Sequence, residues 1–324
     1  MKIHYFASEE WEEGFVKDGL PNEEITFHIG TLAAFPELSD PEAEVLCIFI
    51  DSHIGEEEMK RFPALKLVAT RSTGFDHIDL AAARARGIAV SNVPFYGENT
   101  VAEFTFALLL ALSRRIIDAD ERVRAGTFSP NGLRGFDLAD KTLGVVGTGH
   151  IGAHVIKMAQ GFGMKIIAFD AYPNAELSKT LNFPYLTLDE VLAASDIVTL
   201  HVPYNEHTHH LINKENIGKF KKGAYLINTA RGAVIETDAL IDALKSGAIA
   251  GGGLDVLEEE NDLQNTKSKI TEENRYLIAH PRVIVTPHLA FNTQEAVERI
   301  LNTTIKNIRQ FATGTPTNLI ATTT

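Results

Sequence analysis

The tightest constraint on this chain is the stretch from Lys141 to Asp170, KTLGVVGTGHIGAHVIKMAQGFGMKIIAFD. An apolar run, Leu143 to Val146, stops at Gly147-Thr148-Gly149-His150-Ile151-Gly152. A helical pattern follows through Ile151, Val155, Ile156, Met158 and Ala159 and closes at Gly161 and Gly163; a second apolar run, Lys165 to Phe169, ends on Asp170. Strand, glycine turn, helix, strand, acid is the order of a dinucleotide-binding βαβ unit. In such a unit Gly147 permits the tight turn, Gly149 lets the backbone approach a pyrophosphate, and Gly152 lets the helix pack closely on the strand, so that the first N–H groups of the helix meet the phosphates. Asp170 comes 18 residues after Gly152. It is placed to accept hydrogen bonds from the adenosine ribose and to repel a 2′-phosphate, which predicts NAD rather than NADP.

The rest of the chain repeats the alternation of short apolar strands and helices. Strands are expected at Ile3–Ala7, Ile25–Ile29, Val45–Ile50, Leu67–Thr70 and Ile88–Ser91, with helical patterns at Glu9–Asp18, Glu56–Arg61 and Leu80–Arg86. This implies an α/β unit with a parallel sheet covered on both faces, and it carries no GxGxxG. Its most informative turn is Arg71-Ser72-Thr73-Gly74-Phe75-Asp76, directly after a strand, where Gly74 lets backbone N–H groups face an anion. Thr100-Val101-Ala102-Glu103 reads as a capping box opening a helix that is apolar nearly all round and ends at Arg114-Arg115. Such a helix must be buried on most sides, between domains or against another subunit; a homodimer is the simplest source of that cover, and an unusually deep core helix is the alternative. A polar connection from Arg124 to Leu138 leads into the glycine motif. Beyond Asp170, strands at Ile197–Leu200, Tyr225–Ile227, Gly253–Leu254 and Val283–Val285 end in polar groups, Glu258 to Asn274 reads as a long loop, and a last helix, Thr293 to Phe311, is expected to return to the first domain.

With 324 residues, 44% of them hydrophobic, the chain can build two cores. A formal net charge of −13 and a pI near 5.4 argue against nucleic acid and anionic membrane surfaces as partners. A negative shell also repels small anions, so an acid-binding site must carry its own local positive charge. The single Cys47 lies in VLCIFI and reads as a buried thiol. Nothing in MKIHYFASEEWEEG resembles a signal peptide, so a cytoplasmic location is expected.

Three polar residues near strand ends have the chemistry for redox work on a small acid. Arg231 can clamp a carboxylate through its planar fork. His288 can give or take the proton of a carbonyl or hydroxyl, and a carboxylate such as Glu260 beside it would raise its pKa. Singly, each has an ordinary reading: a surface ion pair, a core histidine, a solvated loop acid among Glu258, Glu259 and Glu260. Spacing alone does not bring the three together. His201, His207, His209 and His210 suggest a metal only by composition.

The segments RSTGFDHID, NVPFYGENTVAEF, GVVGTGHIG, LHVP, NTARG, LDVLEEE and TPHLAFNT, spread over essentially the whole length, make the chain resemble the D-isomer-specific 2-hydroxyacid dehydrogenases. The resemblance implies two domains, a flavodoxin-like substrate domain (residues 1–98 and 293–324) and a Rossmann NAD-binding domain (99–292), with the cofactor in the cleft, no metal, and a homodimer built on the NAD-binding domain. It implies that Arg231 binds the substrate carboxylate, that His288 is the catalytic acid/base and that Glu260 supports it, although Asn261-Asp262 replaces the usual EP after that acid. It further implies contacts to NAD from His150, Ile151, Asp170, Val202, Pro203, Thr208, Thr229, Ala230 and Asp255, beside the three glycines and Arg231. Through RSTGFDHID, Tyr96 and Phe291 the chain is most similar to the D-lactate dehydrogenase members, with the two aromatics walling a pocket for pyruvate and Thr73-Gly74 helping Arg231 hold its carboxylate. Hydroxypyruvate, glyoxylate or a branched 2-keto acid are alternative substrates. The NAD-sensing C-terminal binding protein corepressors are an alternative of another class, although the long tails expected of one are missing from this sequence.

Overall fold

Among the residues described by the computed structural model, 1–260 and 270–320, the strands fall into two separate parallel sheets. The first belongs to a unit made of Met1–Tyr96 and the chain from Thr293 onward; the second belongs to Gly97–Asn292.

In the first unit β1 (Lys2–Ala7), β2 (Glu24–Ile29), β3 (Val45–Ile48), β4 (Leu67–Thr70) and β5 (Ala89–Ser91) lie in the order β2-β1-β3-β4-β5, the flavodoxin-like order. Every residue of β3 and β4 is buried, as unbroken apolar runs such as VLCI and LVAT require of strands covered on both faces. One face packs Phe6, Leu46, Ile48, Val68 and Val90 against Ile54, Met59 and Phe62. The other packs Ile3, Tyr5, Val45, Cys47 and Ala69 against Val16 and against Leu301, Ile305 and Ile308 of the last helix, Gln294–Ala312. That helix does return to the first unit. Helices α1 (Glu12–Gly19), α2 (Glu56–Lys60) and α3 (Leu80–Ala85) complete the cover of the sheet.

Several charged and polar groups inside this unit are paired. Arg71 Nη1 donates to Glu12 Oε2 at 2.6 Å, and Tyr5 Oη donates to the same oxygen at 3.1 Å. His4 sits between two partners, His28 Nε2 at 2.8 Å from Nδ1 and Asp40 Oδ2 at 3.0 Å from Nε2, and Lys2 Nζ reaches Asp40 at 2.8 Å. Hydrogen bonds from Lys2 and then His4 hold the Asp40 carboxyl well below the usual carboxylate range. Burial pushes the Cys47 thiol up to about 12.

The second unit opens with α4 (Glu98–Arg114) and α5 (Ile116–Arg124), then builds β6 (Thr142–Val146), α6 (His150–Gly161), β7 (Lys165–Phe169), α7 (Ala175–Leu181), α8 (Leu188–Ala194), β8 (Ile197–Leu200), β9 (Ala224–Asn228), α9 (Thr237–Ser246), β10 (Ile249–Leu254), α10 (Glu272–Ala279) and β11 (Val283–Val285). The sheet order is β11-β10-β9-β8-β6-β7. Outside β7, Tyr185 adds a single parallel bridge to Ala168. That pair stands where the third strand of a Rossmann sheet would lie, which restores the order 3-2-1-4-5-6 with one strand more. The glycine turn after β6 therefore falls where the strand order reverses, the switch point at which open parallel sheets bind ligands.

Three expectations need correction. Thr100-Val101-Ala102-Glu103 does not cap α4: the helix starts at Glu98 behind Gly97, with no side-chain cap, and Thr100 is buried inside it. The cover on α4 comes from its own unit, where Phe106, Leu108 and Leu109 pack with Val145, Val155 and Ile156. Gly253 makes this close approach possible, since a Cβ there would lie 3.0 Å from Leu108 Cβ. Between Arg115 and the polar connection, residues with no expectation attached form α5, Ile116–Arg124, none of them buried. Finally, Glu258 to Asn274 is not all loop: α10 starts at Glu272, where the Thr271 hydroxyl accepts from Asn274 N at 3.2 Å. Asn261-Asp262 lies outside the described residues. Among the described residues no helix is long and apolar enough to cross a membrane.

Candidate active site

The glycine turn is held from three sides. Gly147, at φ +92°, faces the carbonyl of His201 and Val202, and a Cβ would lie 2.7 Å from that oxygen. A Cβ on Gly152 would lie 2.1 Å from the Gly147 carbonyl, so only glycine lets α6 seat on β6. Gly149 differs, because a Cβ there would meet nothing within 4 Å. Gly149 is also the N-cap of α6 and offers no side-chain acceptor to the helix that His150 and Ile151 begin. An anion approaching from that side therefore finds unblocked backbone and the positive end of a helix.

Asp170 closes the turn. Its Oδ2 accepts from Thr148 N at 2.7 Å and from Thr148 Oγ1 at 2.9 Å, while Oδ1 accepts from Tyr172 N at 2.8 Å. Since Thr148 has one hydroxyl proton and gives it to the carboxylate, Tyr185 Oη must be the donor in its 2.7 Å contact with Thr148 Oγ1. Thr148 and Tyr185 were not singled out in the sequence, where a threonine inside GTG looks like filler.

After β8, His201 N donates to Val146 O at 2.8 Å, which ties His201-Val202-Pro203 to the glycine strand. Thr208 Oγ1 donates to Pro203 O at 2.6 Å and folds the following loop back. His201 Nε2 contacts Thr199 Oγ1 at 2.9 Å, while its buried Nδ1 has no hydrogen-bond partner among the described residues, and burial pushes the imidazole down to about 3. Among the described residues no group of three or more His, Cys, Asp or Glu side chains is arranged to hold a metal ion.

The loops after β9, β10 and β11 are neighbours because their strands are. After β9, Asn228 is fully buried; its Oδ1 accepts from Ala230 N at 3.0 Å and its Nδ2 donates to Arg231 O at 2.9 Å. Asn228 thus shapes the turn that carries Thr229, Ala230 and Arg231, and Thr229 Oγ1 lies 3.1 Å from Thr105 Oγ1 on α4. Gly232 lets this turn press on the next loop, where a Cβ would come within 2.0 Å of the Leu257 carbonyl carbon.

After β10, Asp255 does work the sequence did not reveal. It is 1% exposed, and its carboxylate takes Thr286 Oγ1 at 2.6 Å, Leu289 N at 3.0 Å and Ala290 N at 2.8 Å. It therefore anchors the turn after β11 that presents His288, a residue at φ +50°, and leads three residues on to Phe291. Of the three consecutive acids, Glu260 is the one that reaches that histidine: Oε1 lies 2.6 Å from His288 Nδ1, while Oε2 accepts from Leu257 N at 3.0 Å. Glu258 turns away to His210 Nε2 at 2.6 Å and accepts from Thr237 Oγ1 at 2.8 Å. Burial works to raise the Glu258 carboxyl, but the bonds from His210 and Thr237 outweigh it and hold it below its ordinary value. His288 Nε2 makes no hydrogen bond among the described residues. Arg231 Nη1 donates to Ala230 O at 2.8 Å.

In the first unit, Thr73 and Tyr96 lie on segments stitched together. Thr73 Oγ1 donates to Val93 O at 2.8 Å, Asn92 Nδ2 donates to Thr73 O at 2.8 Å, and Arg299 Nε donates to the Tyr96 carbonyl. Ser72 Oγ closes the turn by donating to Gly74 O at 2.6 Å.

Residues 106–290 match the family described as D-isomer specific 2-hydroxyacid dehydrogenase, NAD binding domain. The chain belongs to this family. Its members are NAD-dependent oxidoreductases, and this enzyme shares their two-domain α/β architecture. It is 39% identical to 2-hydroxyacid dehydrogenase homolog 1 of Schizosaccharomyces pombe, over 96% of each chain. It is 44% identical to an aromatic 2-oxoacid reductase of Clostridium sporogenes, over 76% of each. The solved D-lactate dehydrogenase of Aquifex aeolicus, complexed with NAD and lactic acid, superposes with a TM-score of 0.89 and 38% identity, covering 97% of this chain and 96% of that one. NAD fits what this enzyme presents: open backbone at Gly149, an uncapped helix start and a carboxylate, Asp170, at the end of β7.

Proposed function

We propose that this dehydrogenase reduces pyruvate to D-lactate with NADH. The observation that carries the reading is the convergence of Arg231, Glu260 and His288 on three adjacent strand ends of the NAD-binding unit, with His288 held, among the described residues, through one nitrogen only. The likeness to the Aquifex aeolicus D-lactate dehydrogenase over 97% of the chain supports it.

Bound NADH supplies a hydride for the keto carbon. The arginine fork of Arg231 pairs with the substrate carboxylate through two parallel bonds and so fixes which face of the carbonyl is presented. As negative charge develops on the carbonyl oxygen, His288 donates the proton on Nε2 to it. The Nδ1–H stays on the ring, bonded to Glu260, whose charge favours the protonated ring before transfer and fixes the tautomer after it. Lactate oxidation runs the same groups in reverse. Glycines 147, 149 and 152, with His150, Ile151, Asp170, Val202, Pro203, Thr208, Thr229, Ala230 and Asp255, are the proposed NAD-site residues. Thr73, Gly74, Tyr96 and Phe291 are proposed substrate contacts on the strength of the family resemblance.

A homodimer belongs to the same proposal. Ile116, Ile117 and Val123 of α5 and Phe128 just after it are 56%, 42%, 49% and 94% exposed, an apolar surface that a second copy would cover. Sedimentation of the wild type against Ile116→Glu/Phe128→Glu tests it: a single monomeric species for both would end the dimer reading.

The 44% identity to the aromatic 2-oxoacid reductase favours a second reading, a reductase of larger keto acids. A panel of 2-keto acids with NADH and NADPH decides. The proposal expects kcat/KM for pyruvate at least about tenfold above that for phenylpyruvate or 4-methyl-2-oxopentanoate, a margin of ~1.4 kcal/mol. The reverse order overturns it, and no turnover with any keto acid favours an NAD-sensing binding role.

A further inference from the structure

Glu258 and His210 are 48 positions apart, touch neither the glycine turn nor His288, and have no part in the chemistry above. Yet both ends of Glu258 are fastened. Its carboxylate binds His210 Nε2 at 2.6 Å and Thr237 Oγ1 at 2.8 Å, and its carbonyl accepts from Asn274 Nδ2 at 2.9 Å. Three elements thus converge on one residue: the loop after β8, the start of α9 and the start of α10. A fourth, the β9 turn, presses on its backbone through Gly232, where a Cβ would lie 2.3 Å from Glu258 N.

The next residue shows why such fastening is needed. Glu259 has φ +59°, the left-handed region that a side chain disfavours. With Glu259 there, the chain folds back, so that Glu260 N lies 3.3 Å from Leu257 O, Glu260 Oε2 accepts from Leu257 N and Oε1 meets His288. Left to itself, this backbone would relax toward an ordinary conformation and carry the Glu260 carboxylate with it. His210 is itself left-handed at φ +49° and is held by its own bonds, N to Ala233 O at 2.8 Å and O from Asn213 Nδ2 at 3.0 Å. Non-glycine residues in this region persist only where surrounding contacts over-determine them, and they gather at functional sites. His210, Glu259 and His288 make three of the seven in the described chain, all on the loops around Glu260.

We propose that Glu258 and His210 are positioning residues: their contact fixes the backbone of residues 257–260 so that Glu260 stays against His288. The inference rests on the acid/base reading of Glu260 and His288. Because the His210 loop also carries Val202, Pro203 and Thr208, the same contact ties the segment assigned to the cofactor to the segment that carries the supporting acid.

The test uses the full-length enzyme, with pH profiles of kcat and kcat/KM for keto-acid reduction by NADH, and compares Glu258→Ala, Glu258→Gln, His210→Gln, Glu260→Gln and the double variant Glu258→Ala/Glu260→Gln. Glu258→Ala is expected to lower kcat about 10- to 100-fold, in the range set by displaced catalytic groups, and to move the alkaline limb toward acid as Glu260→Gln does, with KM for NADH within about twofold of wild type. Glu258→Gln keeps a group that can bond both Thr237 and His210 and should recover most of the loss; His210→Gln should shift the limb in the same direction by less. In the double variant the limb should stand where Glu260→Gln alone puts it, because Glu258 acts only through Glu260. If Glu260→Gln moves the limb and neither Glu258→Ala nor His210→Gln does, the positioning role is overturned while the acid/base reading stands. If Glu260→Gln leaves the limb in place, the acid/base reading fails and takes this inference with it. Should Glu258→Ala lose the wild-type thermal transition, Glu258→Gln and His210→Gln decide by the same limb.

Discussion

Two of the histidine–carboxylate pairs, His4–Asp40 in the first unit and His288–Glu260 in the second, differ in one respect that matters. In the first unit His4 is 3% exposed and spends both ring nitrogens on protein, Nε2 on Asp40 and Nδ1 on His28. In the second, His288 spends only Nδ1 among the described residues, on Glu260, and its side chain keeps 16% of its surface. Both pairs bring a carboxylate within hydrogen-bond reach of an imidazole, so the pair itself does not make a site. A proton-transfer site needs an uncommitted nitrogen as well. A histidine bonded at both ends is a strut; one bonded at a single end is oriented and still able to pass a proton.

The comparison is most exposed to replacing the histidines. His288→Gln should lower kcat by about 10³-fold, in the middle of the range for a lost general acid. His4→Gln should leave kcat within about twofold and lower the melting temperature instead. A large loss of kcat in His4→Gln, at a temperature where the variant is folded, would erase the distinction between strut and proton donor.

Next in size is the clamp. Arg231→Lys keeps the charge and loses the fork. We expect kcat/KM for the keto acid to fall about 10²-fold, with KM raised and kcat lowered together because orientation is lost. KM for NADH should change far less; if it changes most, the arginine serves the cofactor.

The carboxylates sharpen the contrast through pH. Glu260→Gln replaces the carboxylate bonded to His288 Nδ1 with a neutral amide, so the alkaline limb of pyruvate reduction and the onset of lactate oxidation should both move toward acid. Asp40→Asn should leave that profile alone and act on stability. A carboxyl held low in the folded state stabilises fully above its ordinary value of 3.8, and that contribution fades as pH falls. Urea unfolding at pH 7 should therefore show Asp40→Asn weaker than wild type, and the gap should narrow toward pH 3. The smallest effect is expected at Cys47, whose thiol is fully buried and pushed up to about 12. A thiol reagent at pH 8 should label it only after denaturation; rapid native labelling would mean that the first unit opens far more readily than its packing implies.

Strand and helix periods made both sheets legible in the sequence, and β4, β7, β8 and β11 occupy the residues their apolar runs mark. The glycine turn was readable because each glycine answers a different local demand. What escaped has a common cause: it depends on neighbours distant in the chain. α5 buries no residue in its own unit, and its apolar side chains stay exposed. Thr100 opens a capping-box pattern, yet the helix starts at Glu98 and buries Thr100 in its first turn. Which of three consecutive acids meets His288 is set by the left-handed turn at Glu259 and by His210, neither of which local sequence encodes. Asp255 and Asn228 look like any polar residue at a strand end; their work is visible only once the turns they hold are in place.

Asp170 has a consequence for anyone wishing to retarget this enzyme to the phosphorylated cofactor. The acid that would repel a 2′-phosphate is also the acceptor for two backbone N–H groups, of Thr148 and Tyr172, and for the Thr148 hydroxyl. Deleting it removes a charge and unfastens the loop in a single edit. Asp170→Ala should therefore narrow the preference between the two cofactors chiefly by worsening NADH, with little gain for NADPH. A useful switch has to leave Thr148 N a neutral acceptor, and Asp170→Asn is the smallest change that does so, before any arginine is brought in to greet the phosphate.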